Sequence, residues 1–320
     1  MELNYRFIQL FRLFEDAKRV LVIAHKKPDG DAMGASTALY HWLKREGKDA
    51  ILFCADLPLA HYKFLDDSWA MNNARDCFEQ SYDAVVILDS GDLKYAGVDT
   101  LMPLLKDKPA IVNIDHHPTN QHYGDINLVL ADASSTSEII GRFFEANNIL
   151  IDSAMATSLL TGIFSDTSHF SNSATSSRVV EISGRLVGYG ARLSDTANIL
   201  LKNKDLPALK LWGLALTRLQ KNKTYDVVST YLTINDLREA NTDSGAAEGI
   251  SNFINAVCGG AEIIMVLIDT GDGKIKCSLR SVRRNVAMLA KLLGGGGHVK
   301  AAGFTIEGRI VTEKQGFRIV

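Results

Sequence analysis

A chain of 320 residues exceeds what one ordinary hydrophobic core serves, so two domains are the expectation. Hydrophobic residues make up 46% and charged residues 22%, a globular balance, and a net charge of -2 excludes recruitment of nucleic acid by a global positive field. The four cysteines (Cys54, Cys77, Cys258, Cys277) form no CxxC pair, which argues against a thiolate zinc site or a disulfide framework and fits a reducing cytoplasm, and no apolar run approaches the ~18 residues that cross a bilayer.

The chain opens with Leu3, Phe7, Leu10, Phe11 and Phe14, an amphipathic helix pattern without the apolar core of a signal peptide. From Val20 to about Leu130, short apolar runs alternate with helix-like stretches. The runs at 20–24, 50–54, 84–88 and 110–114 are continuously apolar, as strands buried on both faces are. Helices are predicted at about 32–46, 69–80 and 96–106. The pattern is that of an α/β domain with a doubly wound parallel sheet. Residues 134–200 read as helical, with runs at 137–147, 153–164 and 175–189, the last stopped by Gly190. The domain is drawn as 1–190, a helical linker as 191–222, and a smaller C-terminal α/β domain as 223–320. That second domain is predicted to hold strands at 225–232, 261–269, 274–280 and about 302–307, with helices at 248–257 and about 285–293.

Three predicted strands end in ionisable residues, which a structural core does not require. The first runs into His25-Lys26-Lys27-Pro28-Asp29-Gly30-Asp31. Pro28 stiffens this turn and Gly30 permits close backbone approach. Carboxylates about 4 Å apart repel by roughly 4 kcal/mol at an effective dielectric of 20, and cations relieve that strain. Asp29 and Asp31 are spaced to diverge toward two metal positions. Asp89 closes the next run, where its two oxygens could bridge two cations; Asp92 fits a solvated turn. Asp115-His116-His117 follows a third run, and adjacent side chains on an extended backbone point different ways, so one imidazole can bind metal while the other faces substrate. Asp166 ends an apolar helix, with Gly162 and Thr167 read as supporting a special turn there. Ser134 to Glu138 has the spacing of a helix capping box.

In the second domain, residues 271–300 carry Lys274, Lys276, Arg280, Arg283, Arg284, Lys291 and Lys300, opposed by Asp272. Ser281 follows Arg280 at a strand end. Gly294 to Gly297, with His298, offers bare backbone N–H groups in a basic setting, as a nest for phosphate does. No GK[ST] follows, so the tract is not a P-loop.

HKKPDGDAMG, VILDSGD, NIDHHPTN and GIFSDTSHF together resemble, in order, the four motifs of the DHH phosphoesterases, and SLRS followed by GGGGHVKAAGF resembles the associated DHHA1 domain. The layout is most similar to the oligoribonuclease and pAp phosphatase branch, the nano-RNases. RecJ-like exonucleases are usually larger, cyclic-di-AMP phosphodiesterases add membrane and sensory segments, and family II pyrophosphatases have a different second domain without GGGH. A non-catalytic nucleotide-binding regulator would be expected to lose metal ligands, and all are present here.

The resemblance implies that His25 and Asp29 hold one divalent ion, Asp31 and His116 another, that Asp89 bridges them, and that Asp166 completes the set. It implies two Mn²⁺ ions, with Mg²⁺ or Co²⁺ as substitutes. Asp115 supports the site without binding metal, and His117 meets the scissile phosphate. Arg280, Ser281, Gly295, Gly296, Gly297 and His298 would grip the nucleotide. After Phe170 the family pattern often has basic or aromatic residues, where this chain has Ser171 and Asn172. The expected substrates are RNAs a few nucleotides long, linear dinucleotides included, cut to nucleoside monophosphates by in-line attack of an activated water, and 3′-phosphoadenosine 5′-phosphate (pAp), with no membrane partner and a homodimer as the assembly to consider. The second domain is expected to close over the cleft.

Overall fold

The structure is a computed structural model, and it describes residues 2–201, 204–259, 261–297, 299–313 and 316–320. Packing divides the chain into two units, Met1–Asn203 and Lys204–Val320. Each is α/β.

The first unit contains, in order, α1 (Glu2–Asp16), β1 (Arg19–Ala24), α2 (Gly30–Arg45), β2 (Asp49–Cys54), β3 (Met71–Asn72), β4 (Ala84–Leu88), α3 (Leu93–Ala96), β5 (Ala110–Asp115), β6 (Ile126–Val129), α4 (Thr136–Ala146), α5 (Ser153–Asp166), α6 (Ser177–Gly188) and α7 (Leu193–Leu201). The sheet order is β3-β2-β1-β4-β5-β6, and every pairing is parallel. Val20, Val22 and Ala24 of β1 enter one core, and Leu21 and Ile23 enter the core on the opposite face. Burial on both faces explains the unbroken apolar runs. The order reverses between β1 and β4, and open α/β sheets bind ligands outside the carboxyl ends of the strands at such a switch point.

Helices α2 and α5 cross at close range because two glycines allow it. A Cβ on Gly34 would lie 2.3 Å from the Ser158 carbonyl oxygen, and one on Gly162 would lie 1.9 Å from Ser137 Oγ. Gly162 therefore serves helix packing within α5; the special turn predicted around it begins only after Asp166. The helices predicted at 69–80 and 96–106 do not form. Short 3₁₀ turns (Ser68–Ala70, Arg75–Glu79, Met102–Leu104) stand in these segments. Asn72 Oδ1 accepts the Ala74 N–H at 2.8 Å, a side-chain turn that competes with helix. Gly97, at φ 77°, caps α3, and Pro103 cannot donate within a longer helix. Phe78, Val98 and Leu101 from these segments still cover the sheet.

The second unit contains α8 (Leu206–Thr217), β7 (Gln220–Asn222), β8 (Val227–Leu232), α9 (Ile234–Glu239), α10 (Ile250–Val257), β9 (Ile263–Asp269), β10 (Lys274–Arg280), α11 (Val286–Leu292), β11 (Gly296–Gly297), β12 (Ala301–Glu307), β13 (Ile310–Glu313) and β14 (Gly316–Ile319). Its mixed sheet runs β11-β12-β10-β9-β8-β7, with β8 and β9 parallel and the other pairs antiparallel; β13 and β14 form a separate hairpin. The stretch 191–222, read as a linker, is shared out. Helix α7 packs on α5 in the first unit, while α8 packs on β8 and β7 joins the second sheet.

Candidate metal centre

His25 leaves β1, Asp89 leaves β4, and Asp115, His116 and His117 end β5, three neighbouring strands that straddle the switch point. Asp29 is the N-cap of α2, its Oδ1 accepting the N–H groups of Asp31 and Ala32 at 3.0 Å. Capping and membership of the cluster coexist in this residue. Asp31 lies in the first turn of α2 and Asp166 ends α5.

Donor atoms gather into three overlapping groups: His25, Asp29 and Asp89; Asp31, His116 and Asp166; and Asp89, His116 and His117. Within each, the atoms lie within 4.8 Å of one another. His25 Nε2 is 3.5 Å from Asp89 Oδ2 and 3.8 Å from Asp29 Oδ1. His116 Nε2 is 3.2 Å from Asp166 Oδ2, 3.6 Å from Asp89 Oδ1 and 4.0 Å from Asp31 Oδ2. The two oxygens of Asp89 thus face two different imidazoles.

Both imidazoles are turned the same way. His25 Nδ1 bonds the Lys26 carbonyl at 2.8 Å, and His116 Nδ1 meets the Ala133 carbonyl at 3.4 Å. A carbonyl accepts only, so each Nδ1 carries hydrogen and each Nε2 is presented to the carboxylates, as in metal-bound histidines. Among the described residues, the ion-pair partners of Asp31, Asp89 and Asp166 are all histidines. Burial, then the charges of Asp89 and Asp166, push the Asp31 carboxyl well above the carboxylate range. Burial also raises Asp166, to about 6, with Asp29 and Asp89 contributing. Burial opposes charge on His25, yet Asp29 and Asp89 carry it up to about 12. The raised carboxyls of Asp31 and Asp166 beside two imidazoles fit a cation site: oxygen and imidazole donors suit Mn²⁺, Mg²⁺ or Co²⁺, and a bound cation would displace the protons those two acids hold.

Asp89 adopts φ 57°, an uncommon conformation for a residue other than glycine, and its N–H donates to the Ile114 carbonyl at 3.0 Å. Strain held by neighbouring structure recurs at functional sites. Asp115 is fully buried and stands outside the three groups. Its Oδ1 accepts the His116 and His117 N–H groups and His117 Nδ1, while Oδ2 accepts Asn120 Nδ2.

Sequence reasoning missed the groups that hold these carboxylates. Ser135 caps α4, its Oγ accepting the Glu138 N–H at 3.0 Å, but Glu138 Oε2 accepts the N–H of Ser134, one residue before the cap, at 2.7 Å, so only half of the predicted capping box forms. That pattern gave no sign that the Thr136 and Ser137 N–H groups donate to Asp31 at 2.6 and 2.8 Å, or that the Thr136 hydroxyl donates to Asp89 at 3.1 Å. Asn172 Nδ2 donates to the Asp166 carbonyl at 2.7 Å, after three successive left-handed residues, Ser168, His169 and Phe170. Its place in the chain serves the end of α5.

In the second unit, Arg280 Nε donates to Asn252 Oδ1 at 2.5 Å and NH1 to the Leu279 carbonyl at 2.9 Å; burial pulls the guanidinium below its usual range. Ser281 differs from expectation. Its buried hydroxyl donates to the Glu262 carbonyl at 2.6 Å and accepts the Arg283 and Arg284 N–H groups, so it is committed to the turn. Gly296 and Gly297 pair with Gly303 and Ala302 of β12. A Cβ on Gly295 would lie 2.1 Å from the Gly303 carbonyl oxygen, and Gly297 sits at φ 132°. Close sheet pairing accounts for these two glycines, and Gly296 has open space. His298 lies outside the described residues. A separate cavity of about 700 Å³ is lined by Val227, Ile263, Met265, Leu279, Leu289 and Phe317 among others, and its lining includes neither Arg280 nor the glycine tract.

Comparison with known proteins agrees with the two-unit division. The family described as "DHH family, N-terminal domain" matches residues 19–163, and the "DHHA1 domain" matches residues 224–316. The chain is 27% identical over 292 residues to the bifunctional oligoribonuclease and PAP phosphatase NrnA of Thermus thermophilus, covering 90% of this chain and 84% of that protein. It is 26% identical over 257 residues to a probable manganese-dependent inorganic pyrophosphatase of Streptococcus thermophilus, covering 74% and 81%. The crystal structure of an exopolyphosphatase-related protein from Bacteroides fragilis superposes with a TM-score of 0.86 at 25% identity, covering 94% and 90%. Matched in both domains, the chain belongs to the DHH family of phosphoesterases, in the arrangement that joins a DHHA1 domain to the DHH domain.

Proposed function

We propose that this protein is a divalent-metal-dependent phosphoesterase that hydrolyses short RNA oligonucleotides, linear dinucleotides included, to nucleoside monophosphates, and that it also dephosphorylates pAp. The observation that carries the reading is the pair of donor groups joined by Asp89 beside the His117–Asp115 pair. The similarity to an oligoribonuclease and PAP phosphatase supports the substrate class, and the similarity to a manganese-dependent pyrophosphatase supports Mn²⁺.

In this reading His25, Asp29 and Asp89 would hold one cation, and Asp31, His116 and Asp166 the other, with Asp89 shared. Two such cations supply neutralisation of phosphate charge and activation of water for in-line displacement. The protein's own groups do the rest. Asp115 accepts the Nδ1–H of His117; burial opposes charge on the ring, but Asp115 and Asp89 raise its pKa, and the protonated ring would donate its Nε2–H to the leaving oxygen. Asp89, fixed on a strained turn, would direct one oxygen to each cation. Arg280 binds the nucleotide away from the scissile bond, while Ser281 shapes its turn. Residues 223–320 form the recognition domain, and residues 1–190 carry the chemistry.

Turnover of a dinucleotide, pAp, a cyclic dinucleotide and pyrophosphate, each with Mn²⁺ and with chelator, tests the proposal. Chelator-sensitive hydrolysis of the first two is expected. Activity confined to pyrophosphate or to the cyclic dinucleotide would overturn the substrate assignment, and activity insensitive to chelator would overturn the metal assignment.

A further inference from the structure

We propose that Thr136 is a positioning residue that locks the carboxylate of Asp89 between the two donor groups; the inference rests on the divalent-metal reading above. Thr136 is the first residue of α4 and is fully buried. It donates twice, to two different acids. Its backbone N–H reaches Asp31 Oδ2 at 2.6 Å, and its hydroxyl reaches Asp89 Oδ1 at 3.1 Å. Asp31 belongs to the group with His116 and Asp166, whereas Asp89 belongs to the group with His25 and Asp29. One rigid residue therefore touches a carboxylate of each.

The need for such a contact follows from torsional preference. The terminal torsion of an aspartate is broad and roughly two-fold, so Asp89 does not set its own carboxylate plane. Yet that plane has to aim Oδ2 at His25 Nε2, 3.5 Å away, and Oδ1 at His116 Nε2, 3.6 Å away. A donor on one oxygen, mounted on a helix end, supplies the missing restraint. The mount is firm. The Ser135 side chain caps α4, and the Ser137 N–H donates to Asp31 Oδ1 at 2.8 Å, so Asp31 is gripped at both oxygens by the first turn of the helix. The hydroxyl bonds outside its own helix, to a residue 47 positions away in sequence.

The test is Mn²⁺ binding to the metal-free full chain, read as free Mn²⁺ by electron paramagnetic resonance, for wild type, Thr136→Val and Thr136→Ser. Valine keeps the shape and removes the hydroxyl; serine keeps the hydroxyl. Groups that orient metal ligands typically alter affinity by about 10–100-fold when removed. Thr136→Val is expected to weaken uptake of one Mn²⁺ equivalent by about that factor, and Thr136→Ser to stay within about three-fold of wild type. Thermal melting of the metal-free proteins checks folding, and Thr136→Ala carries the same expectation should the valine variant fail to fold. Wild-type affinity in the hydroxyl-deleted variants would overturn the inference, as would a serine variant as weak as valine, which would point to the methyl group. A wild type that takes up no Mn²⁺ would overturn the metal reading and this assignment with it.

Discussion

Asp115 Oδ1 accepts a hydrogen bond from His117 Nδ1 at 2.6 Å, while Asp115 Oδ2 accepts from Asn120 Nδ2. The orientation of the Asn120 amide is unambiguous, because its Oδ1 accepts the backbone N–H of His122 at 2.7 Å. Asp115 is thus an acceptor on both oxygens, and His117 Nδ1 carries a hydrogen. Asp115→Asn would place an amide N–H against that ring nitrogen or lose the bond, and either outcome disturbs the tautomer. We predict a fall in kcat of about 10²–10⁴, the usual contribution of a positioned acid or base. Mn²⁺ affinity is expected to change less than three-fold, because Asp115 belongs to none of the donor groups. Steady-state kinetics on a dinucleotide with a parallel Mn²⁺ titration checks both, and an unchanged kcat would remove His117 from the mechanism.

The candidate site was legible where a candidate ligand follows a strand directly. His25, Asp89 and His116 each sit at the end of an apolar run, and parallel neighbours bring such ends together without any further information. Thr136, Ser137 and Asn120 were not legible as parts of the site. The first two act on Asp31, about 105 residues away, through backbone groups that carry no residue signature. Asn120, two residues past Pro118, carries no signature of its own in the sequence. The fold followed the same division. Strands buried on both faces declared themselves, whereas 69–80 and 96–106 had apolar residues at helical spacing but were broken by Asn72, Gly97 and Pro103. The edge strand β6, with Asn127 in its centre, lacks an apolar run, and the β13–β14 hairpin was missed for the same reason.

Gly162 and Gly184 make a contrasting pair. Both lie within helices, but a Cβ on Gly162 would fall 1.9 Å from Ser137 Oγ and 2.6 Å from Asp31 Oδ1, while one on Gly184 meets nothing within 4 Å. Gly162→Ala should destabilise the first unit by about 1–3 kcal/mol through overpacking and weaken Mn²⁺ binding by displacing Asp31. Gly184→Ala should stabilise it by about 0.5–1 kcal/mol, the entropic advantage of alanine in a helix. Urea unfolding of the two variants separates these signs, and a neutral Gly162→Ala would mean that α2 and α5 can move apart freely.

Arg280 provides the test of recognition. Asn252 and the Leu279 carbonyl orient its guanidinium, and no acidic partner is found for it among the described ion pairs. Arg280→Ala should raise KM for a dinucleotide about 10–100-fold, equivalent to about 1.4–2.7 kcal/mol. The effect on bis(p-nitrophenyl) phosphate, which offers no nucleotide to grip, should be under three-fold. Equal losses on both substrates would place Arg280 in the chemistry or in the fold, and not in nucleotide recognition.

His41 makes the stability of the first unit pH-dependent. Its Nδ1 bonds Asp67 and its Nε2 lies 3.1 Å from Asp152 Oδ2, which Arg45 also meets at 3.2 Å. Two carboxylate acceptors require two donors, so the imidazolium is the favoured form. The hydrogen bond to Asp67 raises the His41 pKa above its ordinary value, against the cost of burial, with the Asp152 charge adding to the rise. A raised folded-state pKa contributes stability that is fully present below the unfolded value, near pH 6.5, and is lost as pH climbs through the folded value. Asp152 behaves in the opposite sense. Burial pushes its carboxyl up, but the Met155 N–H and His41 outweigh that and lower it, so its contribution is lost only as pH falls below the ordinary carboxylate range. The cluster should therefore stabilise most between about pH 4.5 and 6.5. His41→Gln is expected to cost about 1 kcal/mol at pH 5.5, and less at each step to pH 9, in urea unfolding followed by circular dichroism. A cost that grew with pH would show that His41 is held neutral, with the ion pairs of Asp152 carried by Arg45 alone.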